Sequence, residues 1–329
     1  MNYQTFLSRF LIGTLFVMVT TLSINWLFDP LWYFSGNKVG KYNYAFNERL
    51  SKLNLIKGKS INCLVMGSSR VTFIRPSLLS NANCFNMAFS GGVVEEFSSY
   101  LKLLENKGIK NFDYLIVGVD GSNFFQVISD TKVAATTPSF FESYISIDAL
   151  KFSLRLFLQD ANFPRVYNQV FEVEVPNPPT FVPKNELQGI ISGSYIPQKF
   201  ALYQELVALT QPRRVIFYVP PLSAWHIKDL AEKGLLADYV DAIYRFADAG
   251  YTIVDYSVIS EVTKTPTNTY DGHHYMPKVN ETIAKQLNAL ISDEKLPNNS
   301  FGLLVNQMSK QQYLDTYLNR LKTFSSEQH

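Results

Sequence analysis

The sequence predicts an α/β fold: a three-layer sandwich on a central parallel sheet of five strands, preceded by one transmembrane helix. Three observations carry this. Five short apolar runs stop at Gly, Pro or polar residues, helical patterns lie between them, and one uncharged segment of bilayer length stands near the start.

Residues 1–9 are a short tail. Residues 10–28 read FLIGTLFVMVTTLSINWLF and carry no charge, and nineteen helical residues are about enough to span a hydrocarbon core. Arg9 precedes the run and Asp29-Pro30 stops it. Trp26, Trp32 and Tyr33 gather at the far end, where an interfacial aromatic belt sits. The run is longer than the apolar region of a secretory signal, and no Ala-x-Ala cleavage site follows. An uncleaved signal anchor is therefore expected, with a buried core helix and a cleaved signal as the alternatives. Lys38, Lys41, Arg49, Lys52, Lys57 and Lys59 follow it, and a count of local positive charge would keep that side in the cytoplasm. Long folded domains translocate largely regardless of charge, so the larger domain is expected outside.

Residues 29–60 read as a linker and a first helix over 43–55. The domain proper is expected over 61–295. Its apolar runs are 62–66 (NCLVM), 84–88 (CFNMA), 114–119 (YLIVGV), 215–219 (VIFYV) and 251–255 (YTIVD). Short runs of this kind, rich in β-formers and bounded by turn residues, read as buried strands. Helical patterns cover 93–106, 197–209 and 227–249, and Pro197 suits a first helical position, where no N–H is needed. Alternating strands and helices give a parallel sheet covered on both faces, whose ligands lie at the carboxyl ends of the strands. One stretch, 121–196, breaks the alternation. It is too long for a plain loop, and an inserted cap or lid is expected there. Residues 296–329 read as a polar linker and a terminal helix near 308–324.

Composition narrows the chemistry. The 329 residues are 47% apolar and 18% charged, which suits one large domain. The aromatic share, 14%, is assigned to core and interfacial packing rather than to ring-stacking on sugars. A net charge of +2 leaves no footprint for nucleic acid. Two cysteines without a CxxC, and four histidines of which His273 and His274 are adjacent, make a zinc centre an unpromising reading. No cofactor is expected.

Three short motifs follow strands. Gly67-Ser68-Ser69-Arg70 places a hydroxyl after a sharp turn, where a base within reach would activate it. Alone, it reads more readily as a helix N-cap. Asn86-Met87-Ala88-Phe89-Ser90-Gly91-Gly92 ends in glycines whose backbone N–H groups could face an oxyanion, or which simply make a tight turn. Asp271-Gly272-His273-His274 sets an Asp three residues before His274. That spacing lets the carboxylate accept the imidazole Nδ1–H and leave Nε2 free to take a proton. The plain alternative is an exposed polar turn.

In this order on this pattern, the three blocks resemble the SGNH/GDSL hydrolase superfamily. The resemblance spans about residues 60–125 and 210–290. It implies a flavodoxin-like sheet with Ser69 as nucleophile, Ser68 standing where Asp is usual, His274 as base, Asp271 as its partner and Gly91 as an oxyanion donor. The third block departs from the pattern. Gly118-Val119-Asp120-Gly121 stands where Gly-x-Asn-Asp is expected, so Asp120 takes the place of an oxyanion donor, with Asn123 as a substitute. Arg70 could bind an anionic substrate, but pairing with a carboxylate is favoured. Trp225 and His226 are candidates for the pocket wall, and His226 reads equally as a surface residue.

The GSSR block behind an anchor is similar to membrane-tethered members acting in acylation of cell-envelope polysaccharide or teichoic acid. The resemblance thus implies a serine esterase or O-acyltransferase on acylated glycan. It would be held by one span in the bacterial cytoplasmic membrane, with the catalytic domain periplasmic. Two other readings stand beside it: a membrane-held lipid or small-ester hydrolase, and a silent scaffold or binding subunit partnering an integral membrane acyltransferase. Cys63 and Cys84 open two strands. Export would permit a disulfide, but two separate buried thiols are the expectation.

Overall fold

The computed structural model describes residues 2–40, 43–44, 46–125, 141, 144–158, 165–183, 193–292, 296 and 301–327. The chain divides into two compact units, Met1–Gly58 with Ala134–Pro176, and Lys59–Val133 with Asn177–His329.

The second unit holds a six-stranded sheet. Its strands are β1 (Cys63–Met66), β2 (Cys84–Asn86), β3 (Tyr114–Gly118), β6 (Arg214–Val219), β7 (Thr252–Asp255) and β8 (Leu303–Leu304), in the order β2-β1-β3-β6-β7-β8. The first five run parallel, and each coincides with one of the predicted apolar runs to within two residues. They read as continuous apolar runs because helices cover both faces, among them Val94–Asn106, Phe200–Thr210, Leu236–Asp248 and Pro277–Ile291. The sixth strand is a correction: β8 pairs antiparallel with the edge of β7. Two residues carry too little pattern to be read as a strand in advance.

Two helical readings also change. The helix expected over 227–249 is two helices, Ala224–Glu232 and Leu236–Asp248, parted at Gly234. Pro277–Ile291 is a helix beyond those expected, with Pro277 in its first turn. The tail is part of the fold rather than an appendage. Its helix, Lys310–Ser326, sends the hydroxyls of Tyr313 and Tyr317 to the buried carboxylate of Asp255, which also accepts the N–H and hydroxyl of Ser257. Burial raises the Asp255 carboxyl above its ordinary range, against the four donors.

Cys63 and Cys84 are partners in the β1–β2 register and form a disulfide, which replaces the expected pair of free thiols. Direct register puts their Cα atoms 4.2 Å apart, a proximity that sequence spacing alone could not supply.

The first unit begins with the helix Tyr3–Phe28, long and apolar enough to cross a membrane and exposed along most of its length. It stops at Asp29, in the left-handed region at φ 38°, whose carboxylate accepts the N–H groups of Tyr33, Phe34 and Gly36 at 2.7–2.8 Å and the hydroxyl of Tyr144. Asn25, fully buried, donates to the Tyr144 carbonyl (2.7 Å) and accepts from Ser153 (2.7 Å). The helix base is therefore clamped to the helix Ile147–Leu158. A short hairpin, β4 (Val166–Tyr167) with β5 (Val173–Glu174), completes this unit. Of the stretch expected as one insertion over 121–196, the described residues 141, 144–158 and 165–176 belong with the N-terminal segment, and 121–125, 177–183 and 193–196 with the sheet.

Candidate active site

The turn that carries Ser69 leaves β1 at Gly67. Val71 folds back so closely that a Cβ on Gly67 would meet its Cγ2 at 2.4 Å, so only glycine lets the chain turn here. Residues 69–73 are turns, and the next helix is the single turn Pro76–Leu78, so Ser69 caps no α-helix. Asn86 at the end of β2 secures this turn. Its amide donates to the carbonyls of Val71 (2.9 Å) and Ile74 (2.8 Å), and its oxygen accepts Ala88 N–H (2.9 Å). The second block thus acts on the first through the Asn86 side chain.

Asp271 and His274 come from the loop between the short helix Pro266–Asn268 and the helix Pro277–Ile291. Asp271 Oδ1 accepts the N–H groups of His273 (3.0 Å) and His274 (2.7 Å), and its Oδ2 lies 2.6 Å from His274 Nδ1. One carboxylate therefore shapes the turn and orients the ring. The other ring nitrogen, Nε2, is 2.8 Å from Ser69 Oγ. The network assigns Nδ1–H to Asp271 and leaves Nε2 to accept the serine proton. Tyr270 lies parallel to the His274 ring at 5.4 Å, and Thr269 hydroxyl donates to the His274 carbonyl (2.7 Å). Burial would raise the Asp271 carboxyl, but the hydrogen bonds and charge of His274, with His273, outweigh it and hold it at about 2.

A second histidine supports the loop. His226 Nδ1 lies 2.8 Å from Ser223 Oγ, and Ser223 N–H donates to the Gly272 carbonyl (2.8 Å). Gly272 has φ +89°, and a Cβ there would stand 2.5 Å from His226 Cε1, so this glycine is required on two counts. Burial, with the nearby His273 and Arg70, depresses His226 to about 3. Burial and His274 depress His273 to about 4. Both rings are neutral at pH 7.

Arg70 is buried and spends its guanidinium on protein. It pairs with Asp120 and donates to the carbonyls of Pro220 (2.6 Å), Pro221 (2.9 Å) and His273 (3.2 Å). This one side chain ties together the carboxyl ends of β1, β3 and β6 and the Asp271–His274 loop. Asp120, which the sequence placed at an oxyanion position, has its carboxylate on Arg70. Asn123 is buried in the turn Gly121–Phe125. Its N–H bonds the Asp120 carbonyl (2.9 Å), and its side chain makes no hydrogen bond to Ser69, Asp271 or His274 among the described residues. Gly91 follows β2, and a Cβ there would meet nothing within 4 Å. Trp225 packs on Phe181 and Phe324.

Asp271, His273 and His274 offer three potential metal-ligating atoms within 4.8 Å of one another. Both nitrogens of His274 and both oxygens of Asp271 already have protein partners, so the set fits a proton relay better than a metal.

No family model matches the chain, and no curated protein does. Among solved structures, the chain is similar to a Bacteroides fragilis protein provisionally assigned as an acylhydrolase. The identity is 13%, over 75% of this chain and 95% of that one, with a TM-score of 0.41. It is also similar to a Streptococcus pneumoniae protein provisionally assigned as a platelet activating factor. There the identity is 10%, over 83% and 97%, with a TM-score of 0.36.

Proposed function

We propose that the protein is a serine ester hydrolase or O-acyltransferase working on acyl esters of cell-envelope polysaccharide. The observation that carries the reading is the relay Ser69–His274–Asp271, with contacts of 2.8 and 2.6 Å between the turn after β1 and a loop more than 200 residues further along the chain. A capping serine or a surface turn has no need of this geometry.

In this reading Ser69 Oγ attacks the ester carbonyl carbon while His274 Nε2 takes its proton. The tetrahedral oxyanion is held by backbone N–H groups at Ser69 and Gly91, with no side-chain donor from Asp120. Collapse breaks the bond to the alcohol oxygen, which leaves with the proton from His274, and the acyl group stays on Ser69. Water, or a second sugar hydroxyl, then gives up a proton to His274 and takes the acyl group, restoring the serine.

Tyr3–Phe28 supports a single membrane anchor, and the Cys63–Cys84 disulfide supports an oxidising, extracytoplasmic compartment for the domain. The glycan substrate rests on the motif resemblance, and an integral membrane acyltransferase would be the natural supplier of acyl groups to the transferase form. A second reading, a silent partner subunit, is favoured by one feature, the commitment of Asp120 to Arg70. Hydrolysis of p-nitrophenyl acetate by the full chain in detergent, beside Ser69→Ala and His274→Ala, separates the two. Turnover lost in both variants supports the enzyme, and equal background in all three supports the silent subunit. Release of acetate from acetylated envelope polysaccharide, compared with a phospholipid substrate, then tests the substrate class.

A further inference from the structure

The helix Ile147–Leu158 has three faces. Ala149, Ser153 and Leu156 are buried, and Ser153 and Leu156 meet Asn25 and Phe28 at the base of the apolar N-terminal helix. At about 100° per residue, Phe157, Leu150, Leu154, Ile147 and Leu158 fall in one arc of roughly 100°, and Lys151, Arg155 and Asp148 in the arc beside it. The apolar arc is not core: Ile147 is 71% exposed, Leu154 46% and Leu158 67%. A folded domain gains nothing by showing water such a stripe on a helix whose other faces are already charged or buried.

We propose that this stripe is a second membrane contact, lying in the lipid interface beside the anchor. The proposal rests on reading Tyr3–Phe28 as a transmembrane anchor. Continuity identifies the occupant. Phe157 meets Phe28 edge-on at 6.0 Å, so the stripe adjoins the last turn of the anchor, the level at which the chain leaves the hydrocarbon. The groove lined by Leu22, Ser23, Trp26, Phe34 and Tyr144 opens at the same end of the anchor. Lys38 Nζ stands 5.0 Å from the Trp26 ring, the pairing of cation and indole that suits a headgroup layer. Beside the apolar arc, Lys151 pairs with Asp148 at 3.3 Å and Arg155 stands 5.0 Å over the Phe46 ring, so the neighbouring face is polar where the arc is not. The clamp of Asn25 and Asp29 on Tyr144 and Ser153 fixes the helix to the anchor, so both would enter the bilayer as one body.

The test places a bimane label on the full chain in phosphatidylcholine vesicles, with and without brominated acyl chains. Leu15→Cys reports the anchor, Leu154→Cys the apolar arc and Lys151→Cys the charged arc; the native cysteines are held in their disulfide. Bromolipid should quench the label at 15 and 154 and spare it at 151. A label at 154 that iodide quenches and bromolipid does not, with 15 still quenched, overturns the proposal while the anchor stands. That outcome would leave the stripe to a protein partner. An unquenched label at 15 overturns the anchor and the proposal together. Circular dichroism of each variant excludes misfolding as the cause.

Discussion

Arg70 and Asp120 form a buried ion pair across the carboxyl ends of β1 and β3, one residue beyond Ser69 and at the position where the sequence suggested an oxyanion donor. The other bonds of Arg70 go to carbonyls, including that of His273 next to the base. The pair therefore braces the turns that carry Ser69 and His274.

Removing one partner of this pair should be costly. Arg70→Ala leaves a buried carboxylate and three carbonyls without their donor, and a loss of about 3–5 kcal/mol is expected for breaking a buried pair. Urea unfolding of the variant checks this. Asp120→Asn distinguishes the two roles of the position. If it served the oxyanion, the amide would raise turnover. As an anchor for Arg70, it should lower both stability and kcat, with KM little changed.

Asp271→Asn should leave Ser69 in place but free His274 to adopt the wrong tautomer. A fall of about 10⁴ in turnover is the expectation from such a change in other triads. The unfolding midpoint at pH 7 should change far less than the rate, because Asn can still accept the two backbone N–H groups.

Stability should fall as the solution is acidified from pH 6.5 towards 4. His226, about 3 in the fold against 6.5 unfolded, and His273, about 4, both bind protons more readily in the unfolded chain over that window. Stability there rises with pH and is lost as pH falls. Asp271, held at about 2, adds its own loss only below its unfolded value of 3.8. Thermal melts across pH 4–7 should slope less steeply in His226→Gln than in the wild type.

Reduction should destabilise the sheet at β1–β2. The disulfide spans 21 residues, and closing a loop of that size stabilises by about 3 kcal/mol. Cys63→Ala with Cys84→Ala should lower the melting temperature, and dithiothreitol should do the same to the wild type and nothing to the variant.

The strands were legible because a parallel sheet covered on both faces writes its strands as unbroken apolar runs, and the Asp271–His274 turn was legible because its bonds are local. What stayed hidden depends on long-range placement. Arg70 reaches residues 50 to 203 positions away, and the side chain of Ser223 meets His226 while its backbone holds the Gly272 loop. β8 is two residues long, and its pairing with β7 needs the folded tail. The apolar arc of Ile147–Leu158 lies in a stretch read as a lid, because nothing in the sequence tells which of its apolar residues the N-terminal helix buries.

The most direct test of the Ser69–His274–Asp271 relay is covalent capture by a fluorophosphonate, with the labelled peptide located by mass spectrometry. The relay predicts a single adduct on Ser69, absent in Ser69→Ala and strongly slowed in His274→Ala. A folded wild-type chain that takes no label, or takes it on another residue, would contradict it.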